Sequence, residues 1–101
     1  MKTITYEKDG TTVELKTLSN IQTFTLESTD AMQDGMKVAV NFCSLFVSGS
    51  NIPDEFGETI LDFDPKKGDH GERLDLDFAA RAIRHAIEKS RLARKEAKNS
   101  G

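Results

Sequence analysis

The chain has 101 residues, of which 37% are hydrophobic and 31% charged, and its formal net charge is −3. This length predicts a single domain, and the low apolar content predicts a small core beneath a heavily solvated surface. No apolar run approaches a membrane span, the N-terminus lacks the apolar segment of a signal peptide, and the single Cys43 excludes an internal disulfide. We therefore expect a cytoplasmic location, in a bacterium or a host cell.

The first 27 residues predict three β-strands. Apolar and polar residues alternate on either side of Asp9-Gly10, which supplies the positive φ angles of a tight hairpin turn. The segment 21–27, IQTFTLE, alternates in the same way and places Phe24 and Leu26 on one face. A hairpin followed by a third strand is therefore expected.

Residues 30–48 are ambiguous between a buried strand and a helix, and their polar residues favour the helix. These residues recur every three or four positions and would form one stripe: Asp30, Asp34, Lys37, Asn41, Ser44 and Ser48. Thr29 or Asp30 would cap the helix, and Gly49 would end it. Its apolar arc spans about 220°, wider than a surface helix needs. We therefore expect the second helix of the monomer, or another molecule, to cover the remainder.

An acidic second hairpin is predicted between residues 61 and 78. Apolar residues alternate with aspartates in LDFD and again in LDLDF, and the turn-forming PKKGDHG lies between the two runs. One face would be apolar and the other acidic. This acidic face, together with three nearby acids, is the candidate partner-binding surface, and its residues are Asp54, Glu55, Glu58, Asp62, Asp64, Asp75 and Asp77.

A final helix is predicted from about Asp77, with Asp77 as its cap. The inward-facing positions are Ala79, Ala82, Ile83, Ala86, Ile87 and Ser90, and the outward-facing ones are Arg81, Arg84, Glu88, Arg91 and Lys95. Residues 1–80 have a net charge of −8 and residues 81–101 a net charge of +5. An alternative binding surface is therefore the basic face formed by Arg81, Arg84, Arg91, Lys95 and Lys98.

These elements together predict an α+β fold with the order β-β-β-α-β-β-α. Its antiparallel sheet would consist of two β-hairpins plus one further strand, and two helices would cover the apolar face. Residues 1–98 would form the single domain and residues 99–101 a frayed C-terminus.

No catalytic or cofactor-binding pattern is present in the sequence. We expect Cys43 to be a buried, inert thiol, because no spacing links it to His70, in a turn, or to His85, on the solvent side of the last helix. The acidic turn that follows Asp62 does not have calcium-loop spacing, since Lys67 stands where glycine is required. The sequence therefore predicts no metal, no cofactor and no enzymatic activity.

Three functions are compatible with this sequence. The first is a non-enzymatic binding protein, an inhibitor or adaptor, that occupies a basic surface of a protein partner; its composition resembles that of small anti-defence proteins of phages and mobile elements, such as anti-CRISPR proteins. The second is nucleic-acid binding through the basic face, which Glu88 and Glu96 interrupt and no aromatic residue supplements. The third is a structural or assembly role. Homo-oligomerisation would cover the wide apolar arc.

Overall fold

The computed structural model describes the backbone of residues 2–28 and 33–100 and the side chains of residues 2–27 and 33–97. Its elements in chain order are β1 (Thr3–Lys8), β2 (Thr11–Lys16), α1 (Asn20–Ser28), α2 (Gly35–Leu45), β3 (Phe46–Ser50), α3 (Gly68–Arg73) and α4 (Leu76–Ser100). The predicted α+β class with an antiparallel sheet is confirmed, and the sheet order is β1-β2-β3. The predicted element order is only approximate. The single-domain boundary and the frayed end at 99–101 stay predictions.

The first predicted hairpin is confirmed. β1 and β2 pair antiparallel from Thr3–Lys16 to Lys8–Thr11. The two turn residues, Asp9 and Gly10, have φ angles of 50° and 81°, the left-handed conformation that a two-residue turn requires.

The predicted strand at 21–27 is wrong, because this segment is the helix α1. A reciprocal pair of hydrogen bonds begins the helix: the Ser19 hydroxyl accepts from the Gln22 N–H at 3.1 Å, and the Gln22 side chain accepts from the Ser19 N–H at 2.9 Å. This capping box satisfies two N-terminal donors that a helix otherwise leaves unpaired. It directs the chain into a helix despite the alternating pattern, and it leaves Phe24 exposed while Leu26 is buried.

The helix predicted at 30–48 is confirmed for Gly35–Leu45, which forms α2. The Asp34 side chain caps α2 by accepting from the N–H groups of Met36 and Lys37. The predicted caps Thr29 and Asp30 lie outside the described residues. The predicted C-terminal end is wrong, since Phe46–Ser50 forms β3 and pairs with β2. A β-branched Val47 and a closely packed Gly49 suit this strand better than another helical turn.

The predicted second hairpin is also wrong. Asp62 has a φ of 50°, which turns the chain away from an extended course, and the Asp64 carboxylate accepts from the Lys66 N–H at 2.9 Å in a further turn. The short helix α3 follows, and α4 begins at Leu76. Residues 61–78 therefore contain no paired strands, and the acids of this segment share no sheet face.

The predicted last helix is confirmed as α4, with one correction at its start. Asp75, not Asp77, is the cap, and its carboxylate accepts from the N–H groups of Asp77 and Phe78. All six predicted inward-facing residues are buried, and all five predicted outward-facing residues are exposed. His85 is only half-buried rather than solvent-facing, because its Nε2–H donates to the Thr5 carbonyl and its ring packs on Tyr6.

The core lies between one face of the sheet and the helices α2 and α4. Four of the six phenylalanines meet in it: the fully buried Phe42 lies 5.9 Å from Phe46, 5.9 Å from Phe63 and 6.1 Å from Phe78, measured between ring centroids. These rings join α2, β3, the 61–67 segment and α4. Burial of aromatic surface at such spacings dominates the stability of a small core.

Candidate protein-binding surface

The segment that follows β3 forms a compact loop, Pro53–Thr59, which we call the Phe56 loop. Pro53 pairs with Thr59 in an isolated antiparallel bridge. The Asp54 N–H donates to the Glu58 carbonyl at 2.7 Å, and the Gly57 N–H donates to the Asp54 carbonyl at 3.1 Å. Gly57 has a φ of 82°, so a residue without a Cβ is favoured at this bend.

The side chain of Asp54 stabilises the Phe56 loop by hydrogen bonds to the backbone of the loop. Asp54 is only 6% exposed, and one carboxylate oxygen accepts from the N–H groups of Phe56 and Glu58, both at 2.9 Å. A buried carboxylate needs such donors. Asp54 therefore fixes the loop conformation, and the prediction that it belongs to an accessible acidic surface is wrong.

Further hydrogen bonds fasten the Phe56 loop to the body of the domain. The Glu55 N–H donates to the Arg73 carbonyl at 2.8 Å, and the Asp75 N–H donates to the Pro53 carbonyl at 3.1 Å. Arg73 is the last residue of α3, and Asp75 lies between α3 and α4. The loop is thus bonded internally and to its support, a condition that keeps the entropic cost of binding low.

Phe56 projects from this loop with 83% of its surface exposed. The residues on either side of the bend, Glu55 and Glu58, are also exposed. Among the large hydrophobic side chains that the structure describes, the ring of Phe56 is the most exposed, ahead of Ile21 and Leu61 at 79%, and two carboxylates flank it. Its chemistry fits an apolar pocket with a basic rim, since aromatic side chains are common anchors of protein interfaces.

A groove of about 490 Å³ beside this loop is lined by four acids and one base: Asp9, Glu58, Asp75, Asp77 and Lys8. Asp9 was absent from the predicted face, and only the fold brings the hairpin turn of β1 and β2 beside the start of α4. Asp77 also forms an ion pair with Arg81 at 2.8 Å. Asp62 and Asp64 do not line this groove. The prediction that all seven acids share one face is therefore wrong. Three of them, Glu58, Asp75 and Asp77, do lie together in this groove.

The predicted basic face lies on α4, but it is partly neutralised. Besides the Arg81–Asp77 pair, Arg91 forms an ion pair with Glu27 of α1. Arg84 and Lys95 are exposed, whereas the side chain of Lys98 lies outside the described residues. Partial pairing of this kind reduces the positive charge that the helix presents to a polyanion.

Cys43 lies on α2 and is half-buried beside α3. It borders a groove of about 320 Å³, and burial raises the pKa of its thiol above the ordinary value. His70 is buried rather than in an open turn, and its Nδ1 accepts from the Asp64 N–H at 2.9 Å while its ring packs on Phe63. Among the described side chains, no hydrogen bond joins Cys43 to His70 or His85.

Two more findings concern the described residues. Within residues 2–27 and 33–97, no three histidine, cysteine, aspartate or glutamate side chains form a group that could hold a metal ion. The helices described by the structure include none with the length and apolar character needed to cross a membrane.

No protein-family model, no curated protein and no solved structure matches this chain.

Proposed function

We propose that this chain is a small, non-enzymatic binding protein that acts by occupying a basic surface of a larger protein partner. The observation that carries the proposal is the 83% exposed Phe56 on a loop whose conformation is fixed by the buried Asp54. Phe56 would enter an apolar pocket of the partner. Glu55 and Glu58 would meet the cations at the rim of that pocket.

Physical considerations of affinity support this assignment. A few central aromatic residues supply most of the binding energy at many interfaces, and a loop that is already ordered loses little conformational entropy when it binds. The flanking carboxylates and the acidic groove beside them would attract a basic partner and select its orientation. Binding of this kind requires no cofactor and no chemical step.

The biological role would be that of an inhibitor or an adaptor. An anti-defence protein of a phage or mobile element, such as an anti-CRISPR protein, is one form of inhibitor that blocks a basic groove, and the acidic composition supports it by analogy. A cytoplasmic location accords with the single cysteine. The nucleic-acid alternative has weaker support, since carboxylates pair with two of the five predicted basic residues.

Two matched variants test the role of Phe56. Phe56→Ala and Phe24→Ala each remove an exposed phenylalanine, because Phe24 is 70% exposed on α1. Each variant and the unmodified chain would be used to capture partners from nuclease-treated lysate of the native host. The binding constant of the captured protein would then be measured by calorimetry.

We expect Phe56→Ala to weaken binding at least about thirtyfold, as an interface hot spot of about 2 kcal/mol does, and Phe24→Ala to leave it nearly unchanged. Glu58→Lys should weaken binding by a larger factor at low salt than at high salt, because salt screens the charge interaction. Full binding by Phe56→Ala, or loss confined to Phe24→Ala, would refute the assignment and place the interface on α1 or elsewhere.

A further inference from the structure

The two histidines of this chain use their ring nitrogens in opposite ways. His70 is buried on α3, and its Nδ1 accepts a hydrogen bond from the Asp64 N–H at 2.9 Å. The Nε2–H of His85 instead donates to the Thr5 carbonyl at 3.1 Å. A ring nitrogen accepts a hydrogen bond only while it carries no proton, whereas a ring N–H still donates when the other nitrogen is protonated. The bond of His70 therefore requires a neutral ring, and the bond of His85 does not.

His70 fastens the segment 61–67, and that segment carries part of the core. The Phe63 ring lies 4.9 Å from Phe46 and 5.9 Å from Phe42, measured between ring centroids. The ring of His70 lies 5.9 Å from that of Phe63 as well. The hydrogen bond and the ring contact of His70 act on the same short segment, so a change at His70 reaches the aromatic core through Phe63.

We propose that His70 is a pH-dependent contact, which fastens the segment 61–67 to α3 while its ring is neutral and releases it in mild acid. Protonation places a hydrogen on Nδ1, so this ring N–H and the Asp64 N–H, two donors, would then face each other. Burial of the ring adds to the cost of the charge. The inference goes beyond the proposed function and involves neither the Phe56 loop nor its partner.

The charged groups around His70 offer little to offset a positive charge on its ring. Among the described side chains, no carboxylate forms an ion pair with His70. The Asp64 carboxylate already accepts from the Lys66 N–H at 2.9 Å, and α2 faces α3 with the thiol of Cys43. The other charged residues of the two adjoining segments nearly balance in sign: Asp62, Lys66 and Lys67 before α3, and Asp69, Glu72 and Arg73 within it.

The pH dependence has a definite sign. Because the folded state favours the neutral ring of His70, the stabilisation is complete well above about pH 6.5, near which an unfolded histidine titrates. It is lost as the pH falls below that value. At about pH 5.8 the unfolding constant should have risen by up to about sixfold from this cause alone. Carboxylates titrate about two units lower than histidine, so the range from about pH 7.5 to 5.8 tests mainly the two histidines.

Two variants separate these histidines. His70→Asn replaces Nδ1 with an amide oxygen that can accept at every pH, and His85→Gln retains a donor for the Thr5 carbonyl. Urea denaturation would give the ratio of the unfolding constants at pH 5.8 and pH 7.5. This ratio should be at least about threefold smaller in His70→Asn than in the unmodified chain, and His85→Gln should leave it nearly unchanged. Equal ratios in all three proteins, or a decrease confined to His85→Gln, overturn the proposal.

Nuclear magnetic resonance of the unmodified chain gives a second test, which stays decisive if His70→Asn does not fold. Hydrogen-exchange protection factors, corrected for the intrinsic effect of pH, should fall at least about threefold for the Asp64 N–H between pH 7.5 and 5.8. The Phe56 N–H, bonded to the Asp54 carboxylate, should keep its protection. Imidazole nitrogen shifts at pH 7.5 should show an unprotonated Nδ1 in His70. A protonated Nδ1, or protection of the Asp64 N–H that does not change with pH, overturns the proposal.

Discussion

The hydroxyl of Ser90 on α4 accepts a hydrogen bond from the buried backbone N–H of Leu18 at 2.9 Å, across 72 positions of the chain. One turn further along α4, the Arg94 guanidinium donates to the carbonyl of the same Leu18. Both polar groups of a buried connection between β2 and α1 are thus satisfied by one helix face. Arg94 is therefore a structural residue of this basic helix.

Ser90→Ala should lower the free energy of unfolding by about 1–3 kcal/mol, because it leaves the Leu18 N–H buried without an acceptor. Urea denaturation would measure the change. Ser44→Ala is the matched control, since the Ser44 hydroxyl is exposed and bonds within its own helix to the Asn41 carbonyl; its effect should lie within about 0.5 kcal/mol. Equal losses in the two variants would contradict the role of Ser90.

Adjacent residues of α2 should respond very differently to substitution. Phe42 is fully buried among three other phenylalanines, whereas Asn41 is half-buried on the polar stripe. Phe42→Asn should cost at least about 3–5 kcal/mol, the usual cost of removing a core ring, because it also buries an amide. Asn41→Leu should change the free energy of unfolding by less than about 1 kcal/mol. Thermal and urea melts that gave similar values for both would refute this packing.

Two glycines should respond in opposite directions to alanine. At Gly49 a Cβ would lie 2.9 Å from the Thr12 carbonyl oxygen and 2.9 Å from Ile52 Cδ1, whereas at Gly68 no atom lies within 4 Å. Gly49→Ala should therefore destabilise the domain by at least about 1 kcal/mol. Gly68→Ala, at the start of α3, should stabilise it by about 0.4–1 kcal/mol. Urea midpoints of the two variants would decide, and a stable Gly49→Ala would contradict the close packing.

Cys43 should react slowly with alkylating reagents in the folded protein. Burial raises the pKa of its thiol, so less thiolate is present at any pH near neutrality, and the thiolate is the reactive form. The iodoacetamide rate should therefore rise with pH around a midpoint higher than that of an unfolded cysteine, whose pKa is about 8.5. Unfolding in urea should accelerate the reaction at pH 7.5. A folded rate equal to the unfolded one would show that the thiol is not shielded.

The basic face of α4 should bind nucleic acid weakly. Fluorescence anisotropy with a random duplex near physiological salt should give a dissociation constant no tighter than the roughly 10⁻⁴–10⁻⁶ M of non-specific contacts. Arg84→Ala combined with Lys95→Ala should change it little, although both residues are exposed. Tight binding that falls steeply with salt and is lost in this variant would instead support the nucleic-acid alternative.

Sequence patterns were reliable where local and tertiary preferences agree. The Asp9-Gly10 turn and the inward face of α4 follow directly from turn chemistry and helical periodicity. In the segment 21–27, the S-x-x-Q capping box at Ser19 outweighs the alternating pattern that predicts a strand. That signal was present in the sequence and would have identified α1.

The predicted hairpin at 61–78 is wrong for a related reason, namely that an alternating pattern also fits a capped helix. Leu74 and Phe78 are buried, but Leu76, which a strand would bury with them, is 41% exposed. The buried positions fit the start of a helix capped by Asp75. The fixed conformation of the Phe56 loop could not be predicted from the sequence, because the hydrogen bonds that fasten Pro53 and Glu55 are tertiary contacts with Asp75 and Arg73.

The bonds that α4 makes to the first strands affect how the chain can fold during synthesis. His85 covers the edge of β1, and Ser90 bonds to Leu18 just after β2, so the 72 positions from Leu18 to Ser90 must be synthesised before these contacts can form. At about 5–20 residues per second this interval lasts roughly 4–15 seconds. During that time the apolar side chains of Ile4, Val13 and Leu15 have no helix α4 to bury them. The nascent hairpin therefore exposes these apolar side chains to solvent until α4 has been synthesised.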